Sequence, residues 1–395
     1  SIVVKGNYIT NVHHGIFIQD VDSGIVKSED ITISNNTVTE CGGYGIMAYK
    51  TGQGAGIEYV EISSNTVTDI YGTYYNTGGN GNYYTHGAGI YIVDCSNINI
   101  VSNVVKRTNL LTDNGETLSP SGIGIAQSSK IFVLNNKVYD CLYFGIIADI
   151  ADGIVDGNII ENCGDYGIEC RNTSNLKLVN NSIVTIPAHN GISITNARGG
   201  AVSPEHLKLT CSNNSISGGA GVGIDILGTS YSTFENNVID STTAGIRGTD
   251  DVTSISNRFI NNIITANGGI GINVAHPYSY FILNKSIGAA AGQAYRAYRN
   301  SYYFKNDYDS SNGTTSVFSS EFNLSGTADL TLPWSPLESS VSINITSPSL
   351  IQSITNFPYG ATLSLIVPSG TDIKHMLGST SNTRFYMIGS INYVA

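Results

Sequence analysis

Asn35–Tyr49 reads N-N-T-V-T-E-C-G-G-Y-G-I-M-A-Y. Two short apolar/polar alternations flank a glycine pair, which is strand–turn–strand texture rather than a helical period. The pattern returns as NNKVYD and FGIIAD at 135–140 and 144–149, and as NNSIVT and NGISIT at 180–185 and 190–195. Later copies are NNVIDS with AGIRGT at 236–241 and 244–249, and NNIITA with GIGINV at 261–266 and 269–274. A unit this small can bury its apolar side only against its neighbours, so repetition fixes an architecture before any residue is interpreted.

The repeat Asn stands at 7, 36, 65, 103, 136, 158, 181, 214, 237, 262 and 284, with shortest intervals of 22 to 23 residues. That length holds two or three short strands and their turns, one coil of a parallel β-helix. The expected fold is therefore an all-β solenoid over 1–309, a linker SSNGTT at 310–315, and a small antiparallel β-module over 316–395. The Asn column is expected to be structural, its amides stacking coil on coil in a turn.

With 44 glycines and only 12% charged residues, the chain suits tight turns and short strands. A net charge of −11 without a basic stripe excludes nucleic acid as an expected partner. No apolar run approaches the roughly 18 residues of a membrane span, so membrane insertion is not expected. GNYIT at 6–10 is already a repeat copy, so further sequence is expected upstream. Cys41, Cys141, Cys163 and Cys170 fall on interior repeat positions and read as small core hydrophobes, while Cys95 and Cys211 remain unassigned. No Cys/His spacing or dense carboxylate set calls for a metal, and no cofactor is expected.

In Gly-Ile-x-Ile-x the two Ile point inward, so the second and fourth residues after Gly face out. The first outward column is Phe17, Met47, Tyr91, Gly124, Ile147, Glu169, Ser193, Asp225, Arg247 and Asn273. The second is Gln19, Tyr49, Val93, Ala126, Asp149, Arg171, Thr195, Leu227, Thr249 and Ala275. In a chain so poor in charge, five charged residues cluster on this face, with aromatic residues in the earlier coils. Insertions before the Gly-Ile strand (69–86, 107–121) and after it (50–60, 195–208) would wall the face into a groove.

Aromatic rings stack on sugar faces and carboxylates and guanidinium groups bond sugar hydroxyls, so the face reads as a carbohydrate cleft. Glu169 and Asp225, two coils apart, would lie about 9–10 Å apart at Cα, a spacing compatible with an inverting acid/base pair. Asp149 is the competing partner. Arg171 and Arg247 would orient these carboxylates or bind substrate, and Asp149 with Arg171 and Asp225 with Arg247 would equally make cross-coil ion pairs. Tyr49, Tyr91 and the loop YGTYYNTGGNGNYY at 71–84, with Tyr75, Tyr83 and Tyr84 and then His86, would stack and bond sugars. The same loop would also serve subunit packing. His86, His189 and His276 would be the bases of an elimination mechanism.

The Asn-x-Ile and Gly-Ile-x-Ile coils resemble the right-handed parallel β-helices of the pectate-lyase-like superfamily. The tail SINITSPSLIQSITNFPYGATLSLIV at 342–367, then IKHMLGSTSNTRFYMIGSINYV at 373–394, is similar to the C-terminal modules of bacteriophage tailspike depolymerases. That resemblance implies a homotrimer on a phage tail, joined to the tail or baseplate through an upstream region. It would cleave a bacterial capsular or O-antigen polysaccharide at the cell surface. Hydrolysis is the expected reaction, with β-elimination on the same fold or non-catalytic glycan binding as alternatives. The paired-Asp motifs of β-helix polygalacturonases and the Tyr-Gly-x-Asp-Pro-His signature of alginate epimerases do not occur.

Overall fold

The computed structural model describes residues 1–20, 28–50, 56–72, 74–76, 82–84, 87–110, 120–150, 152–171, 173–185, 189–195, 206–248, 256–274, 276, 279–289, 295–297, 302–304 and 307–309, and five strands between 320 and 387. One coil shows the plan: strands Ile31–Ser34, Thr37–Cys41 and Tyr44–Lys50, joined by tight turns. Each pairs in parallel with its counterpart on the next coil, Ile57–Ser63, Thr66–Gly72 and Ala88–Val93. Repeated along the chain, these pairings make one 32-stranded sheet wound on itself. The fold is a right-handed parallel β-helix, and no helix occurs among the described residues.

The interior is built from in-register columns. Ile46, Ile90, Ile123, Ile146 and Ile168 stack in sequence, each fully buried. Burial of each such side chain stabilises the fold by about 1.5–3 kcal/mol relative to exposure. Towards the C-terminal coils, Phe234, Phe259 and Phe281 replace aliphatic residues as a ring stack with centroids 5.1 and 5.0 Å apart. All six cysteines are free and buried, so Cys95 and Cys211 join the other four in the core.

The repeat Asn forms a continuous hydrogen-bond ladder. Asn158 donates its backbone N–H and its amide Nδ2 to Asn181 Oδ1 at 3.1 and 2.9 Å, and the same amide reaches the Val133 carbonyl at 2.9 Å. Equivalent bonds run from Asn7 to Asn284. A turn inside the wall cannot hydrate its backbone, and one amide per coil supplies the missing partners. The residue before the ladder Asn has positive φ, near 55° at Asn35, Asn135, Asn180 and Asn213. Asn tolerates that left-handed conformation better than most residues, which explains the Asn-Asn doublet.

The last described coil strands are Tyr302–Phe304 and Asp307–Asp309. Beyond them Ser320–Leu324 pairs antiparallel with Thr383–Met387. Thr362–Ile366 pairs antiparallel with Ile354–Thr355 and parallel with Ser340–Asn344, so this small sheet is mixed.

Candidate active site

The face that carries the charged residues is made by the Gly-Ile strands, and the glycine in that motif is sterically required. A β-carbon on Gly145 would lie 2.5 Å from the Gly167 carbonyl oxygen and 2.5 Å from Ile160 Cγ2. Gly45, Gly167, Gly191, Gly223 and Gly245 meet the next coil's glycine carbonyl and a β-branched wall residue in the same way. Glycine lets the strand turn a corner here, with the backbone pressed onto the interior. Both Gly and the following Ile then face the core, and the residue before Gly swings out.

This adds a third outward column to the two read from alternation. Its members include Tyr44, Phe144, Tyr166 and Asn190. Tyr44 stacks on Tyr91 at 4.9 Å with an interplanar angle of 8°, and Phe144 on Tyr166 at 5.9 Å and 10°. Upstream, the His14 ring stacks on Phe17 and on Tyr44 at 5.4 and 5.5 Å, and Tyr49 packs against the Tyr44 cluster. The face therefore carries an aromatic track from the first coils towards the charged residues. Alternation alone hid Tyr44, Phe144 and Tyr166, although each stands immediately before the repeat glycine.

The ladder places Ile147 beside Glu169, Glu169 beside Ser193, Ser193 beside Asp225 and Asp225 beside Arg247. Glu169 and Asp225 are thus two coils apart with only Ser193 between them. Their side chains are 9% and 15% exposed, at the bottom of the face. Arg247 grips Asp225 with two bonds, Nε to Oδ1 at 2.9 Å and Nη2 to Oδ2 at 2.5 Å. Arg171 closes on Glu169, two residues away on the same strand, at 2.5 Å, and its guanidinium lies 5.5 Å over the Phe144 ring. The guanidinium thus bridges its own strand, through Glu169, and the preceding coil, through Phe144. Asp149 is half-buried at the next outward position of the preceding strand. The Ser193 hydroxyl and the Arg171 Nε are buried with no hydrogen-bond partner among the described residues.

Tyr166 is the electrostatic centre of this region. Burial raises its phenol pKa, and the charges of Asp165, Asp225 and Glu169 push it further up, against a hydrogen bond with Asn190. The Tyr91 phenol is also raised, first by burial, with Tyr49 and Asp149 adding to the shift and Arg171 opposing it. Asp165, which opens the turn into the strand Tyr166–Arg171, is raised by burial and then by the Glu169 charge, against His189 and Arg171. The sequence reading passed over Asp165 because it lies outside the strand alternation.

Of the histidines, His189 sits half-buried beside Asp165. His276 is fully buried, 3.1 Å from the Asn257 amide, where a β-carbon on Gly248 would touch its ring. It packs in the core and cannot act as a base on the face. The Tyr-rich insertion contains a hairpin, Tyr74–Asn76 against Asn82–Tyr84, with Tyr75 opposite Tyr83 and Tyr84 opposite Tyr74. The structure describes only the backbone of those strands, and His86 lies outside the described residues. Most of the other insertions, including 51–55, 111–119 and 196–205, also lie outside them. No group of three metal-ligating side chains occurs among the described residues.

The family described as "Right handed beta helix region" matches residues 25–203. Among solved structures, the chain is similar to DFA-IIIase from Arthrobacter chlorophenolicus A6 at 10% identity and a TM-score of 0.45, over 73% of this chain and 80% of that one. It is similar to the GH136 lacto-N-biosidase from Eubacterium ramulus at 10% identity and a TM-score of 0.44, over 75% and 68%. The A-module of the Azotobacter vinelandii mannuronan C-5 epimerase AlgE6 gives 13% and 0.40, over 76% and 90%. No curated protein matches the sequence.

Proposed function

We propose that this β-helix is a polysaccharide depolymerase that hydrolyses glycosidic bonds on the Gly-Ile face. The observation that carries the reading is the register Glu169–Ser193–Asp225. Two nearly buried carboxylates, each held by an arginine, flank a serine hydroxyl with no partner among the described residues, at the end of an aromatic track. Sugars offer apolar ring faces to the half-buried Tyr49 and Tyr91, and hydroxyls to Arg171. In this reading Glu169 and Asp225 activate the attacking water and stabilise positive charge at the sugar ring, with Asp149 as the alternative partner. The raised Tyr166 and Tyr91 phenols stay protonated, which suits donation to substrate and disfavours a tyrosine base for β-elimination.

The finer reading is a tailspike-like homotrimer acting on a bacterial capsular or O-antigen polysaccharide from the tail of a phage particle. Its support is the C-terminal resemblance, residues 342–394. A panel of purified capsular and O-antigen polysaccharides tests both levels. The wild-type chain should release new reducing ends from one of them, and Glu169→Gln should abolish release while still binding that polymer. Unchanged turnover in this variant discards the site, and absorbance near 230 nm from unsaturated uronates replaces hydrolysis by elimination. Light scattering giving the mass of one chain removes the trimer.

A further inference from the structure

From Phe17 to Asn273 the first outward column has one member without a side chain, Gly124, which stands in register between Tyr91 and Ile147. The corner glycines are fixed by backbone, since a β-carbon there would meet the next coil's carbonyl oxygen. Gly124 is under no such demand. Its φ lies outside the left-handed region, and the three atoms nearest a β-carbon on it belong to side chains. They are Tyr91 Cδ2 at 2.8 Å, Ser121 Oγ at 2.9 Å and Tyr91 Cε2 at 3.2 Å. The place of a side chain at 124 is therefore taken by one edge of the Tyr91 ring, which leans from its own coil onto the next. Tyr44 covers one face of the same ring, at 4.9 Å with an interplanar angle of 8°, and Tyr91 as a whole is half-buried. A ligand would have the opposite face. Gly124 is followed in its column by Ile147 and then Glu169, so the ring reaches a coil about 10 Å before the carboxylate.

Resting on the hydrolytic reading above, we infer that Gly124 is a positioning residue of the sugar-binding face. By carrying no side chain it seats the Tyr91 ring across the coil boundary, and Tyr44 backs that ring, so Tyr91 becomes the platform for one sugar of the polymer ahead of Glu169. The C–H face of a pyranose lies on the ring, and its hydroxyls project at the rim. A ring already stacked on Tyr44 loses little further freedom when the sugar arrives, which favours binding. Strand geometry does not ask for glycine here, because the equivalent positions hold Met47, Tyr91, Ile147 and Glu169. An added methyl group at 124 meets the ring before it meets any backbone atom, so the ring moves and the coil stays.

The experiment uses the full chain and the polysaccharide of the panel that it cleaves. Gly124→Ala should raise KM about three- to tenfold, the worth of one aromatic stacking contact, with the loss carried by KM rather than kcat. Tyr91→Phe, which keeps the ring, should hold the wild-type KM, and Tyr91→Ala should raise it as far as Gly124→Ala does. In the Tyr91→Ala background Gly124→Ala should change KM no further, because no ring is left to displace. A rise below about threefold, a loss carried by kcat, or an equal added rise in the Tyr91→Ala background overturns the assignment while leaving the hydrolytic reading standing. Should Gly124→Ala fail to fold, the double variant decides. Folding regained with Ala at 91 identifies the ring as the obstacle and upholds the seat, and failure of both variants to fold overturns it. A wild-type chain that cleaves no polysaccharide of the panel removes both readings.

Discussion

Arg247 reaches across one coil and closes on Asp225 through both Nε and Nη2, so the guanidinium plane and the carboxylate plane meet in a fork. A fork of this kind sets direction as well as charge, because a lysine ammonium cannot reproduce two parallel bonds. Arg247→Lys is expected to keep the fold and lower turnover about tenfold, and Arg247→Ala about a hundredfold, through loss of Asp225 orientation. A double-mutant cycle with Asp225→Asn in urea unfolding should return a coupling of about 1 kcal/mol, as for a partly exposed pair. Additive stabilities would mean that the pair does not act as a unit.

Gly145 separates packing from chemistry. Gly145→Ala is expected to cost about 3 kcal/mol, because the added methyl meets Ile160 Cγ2 and the Gly167 carbonyl together. Removing only the side-chain contact, in Gly145→Ala with Ile160→Ala, should not restore stability, since the carbonyl remains in the way. Recovery to the wild-type urea midpoint would show that the glycine is needed for side-chain room alone.

The asparagine ladder makes a similar demand on each coil. Asn158→Ala removes the acceptor used by Asn136 and the donor to Val133 and Asn181. Several buried backbone and amide groups are left unmatched, so a loss of about 3–5 kcal/mol is expected. Asn158→Asp keeps the acceptor and loses the amide donor, and it should fall between the two. Equal stability of wild type and Asn158→Ala in urea unfolding would refute a structural role for this column.

The His14 imidazole is pushed down to about 4, first by burial and then by the neighbouring His13. The unfolded chain, with an ordinary imidazole near 6.5, binds more protons than the native chain between those two values. Stability from this group is therefore complete above pH 6.5 and declines as pH falls towards about 4. His14→Phe keeps a ring against Tyr44 and Phe17 and should flatten the pH dependence of the urea midpoint in that window. An unchanged slope would assign the acid sensitivity to other groups.

The parts of this molecule that were legible in the sequence are those repeated with a single meaning. The Asn column, the inward isoleucines and the outward run from Phe17 to Arg247 all follow from period and alternation, and the structural register has the same members. What was hidden arises where strict alternation breaks. The glycine corner puts two consecutive residues inward, so Tyr44, Phe144 and Tyr166 face out from positions that alternation assigns to the core. Asp165 lies one residue further back, in a turn that the column reading did not cover. Side-chain choice was hidden too: position alone did not show that Arg171 bonds Glu169 on its own strand and lies over the Phe144 ring of the preceding coil.

The glycine corner has one more outcome. Because the pinch is made by backbone and by the absence of a side chain, the described coils carry three outward-pointing positions, several of them covered by their neighbours, that take no part in the isoleucine core. The residue before the glycine and the second and fourth after it can be exchanged coil by coil while the Asn and Ile columns keep the pitch, about 4.8 Å per coil. A lineage built on this scaffold is thus free to move to a new ligand by rewriting the face alone, with variation confined to a grid three positions wide.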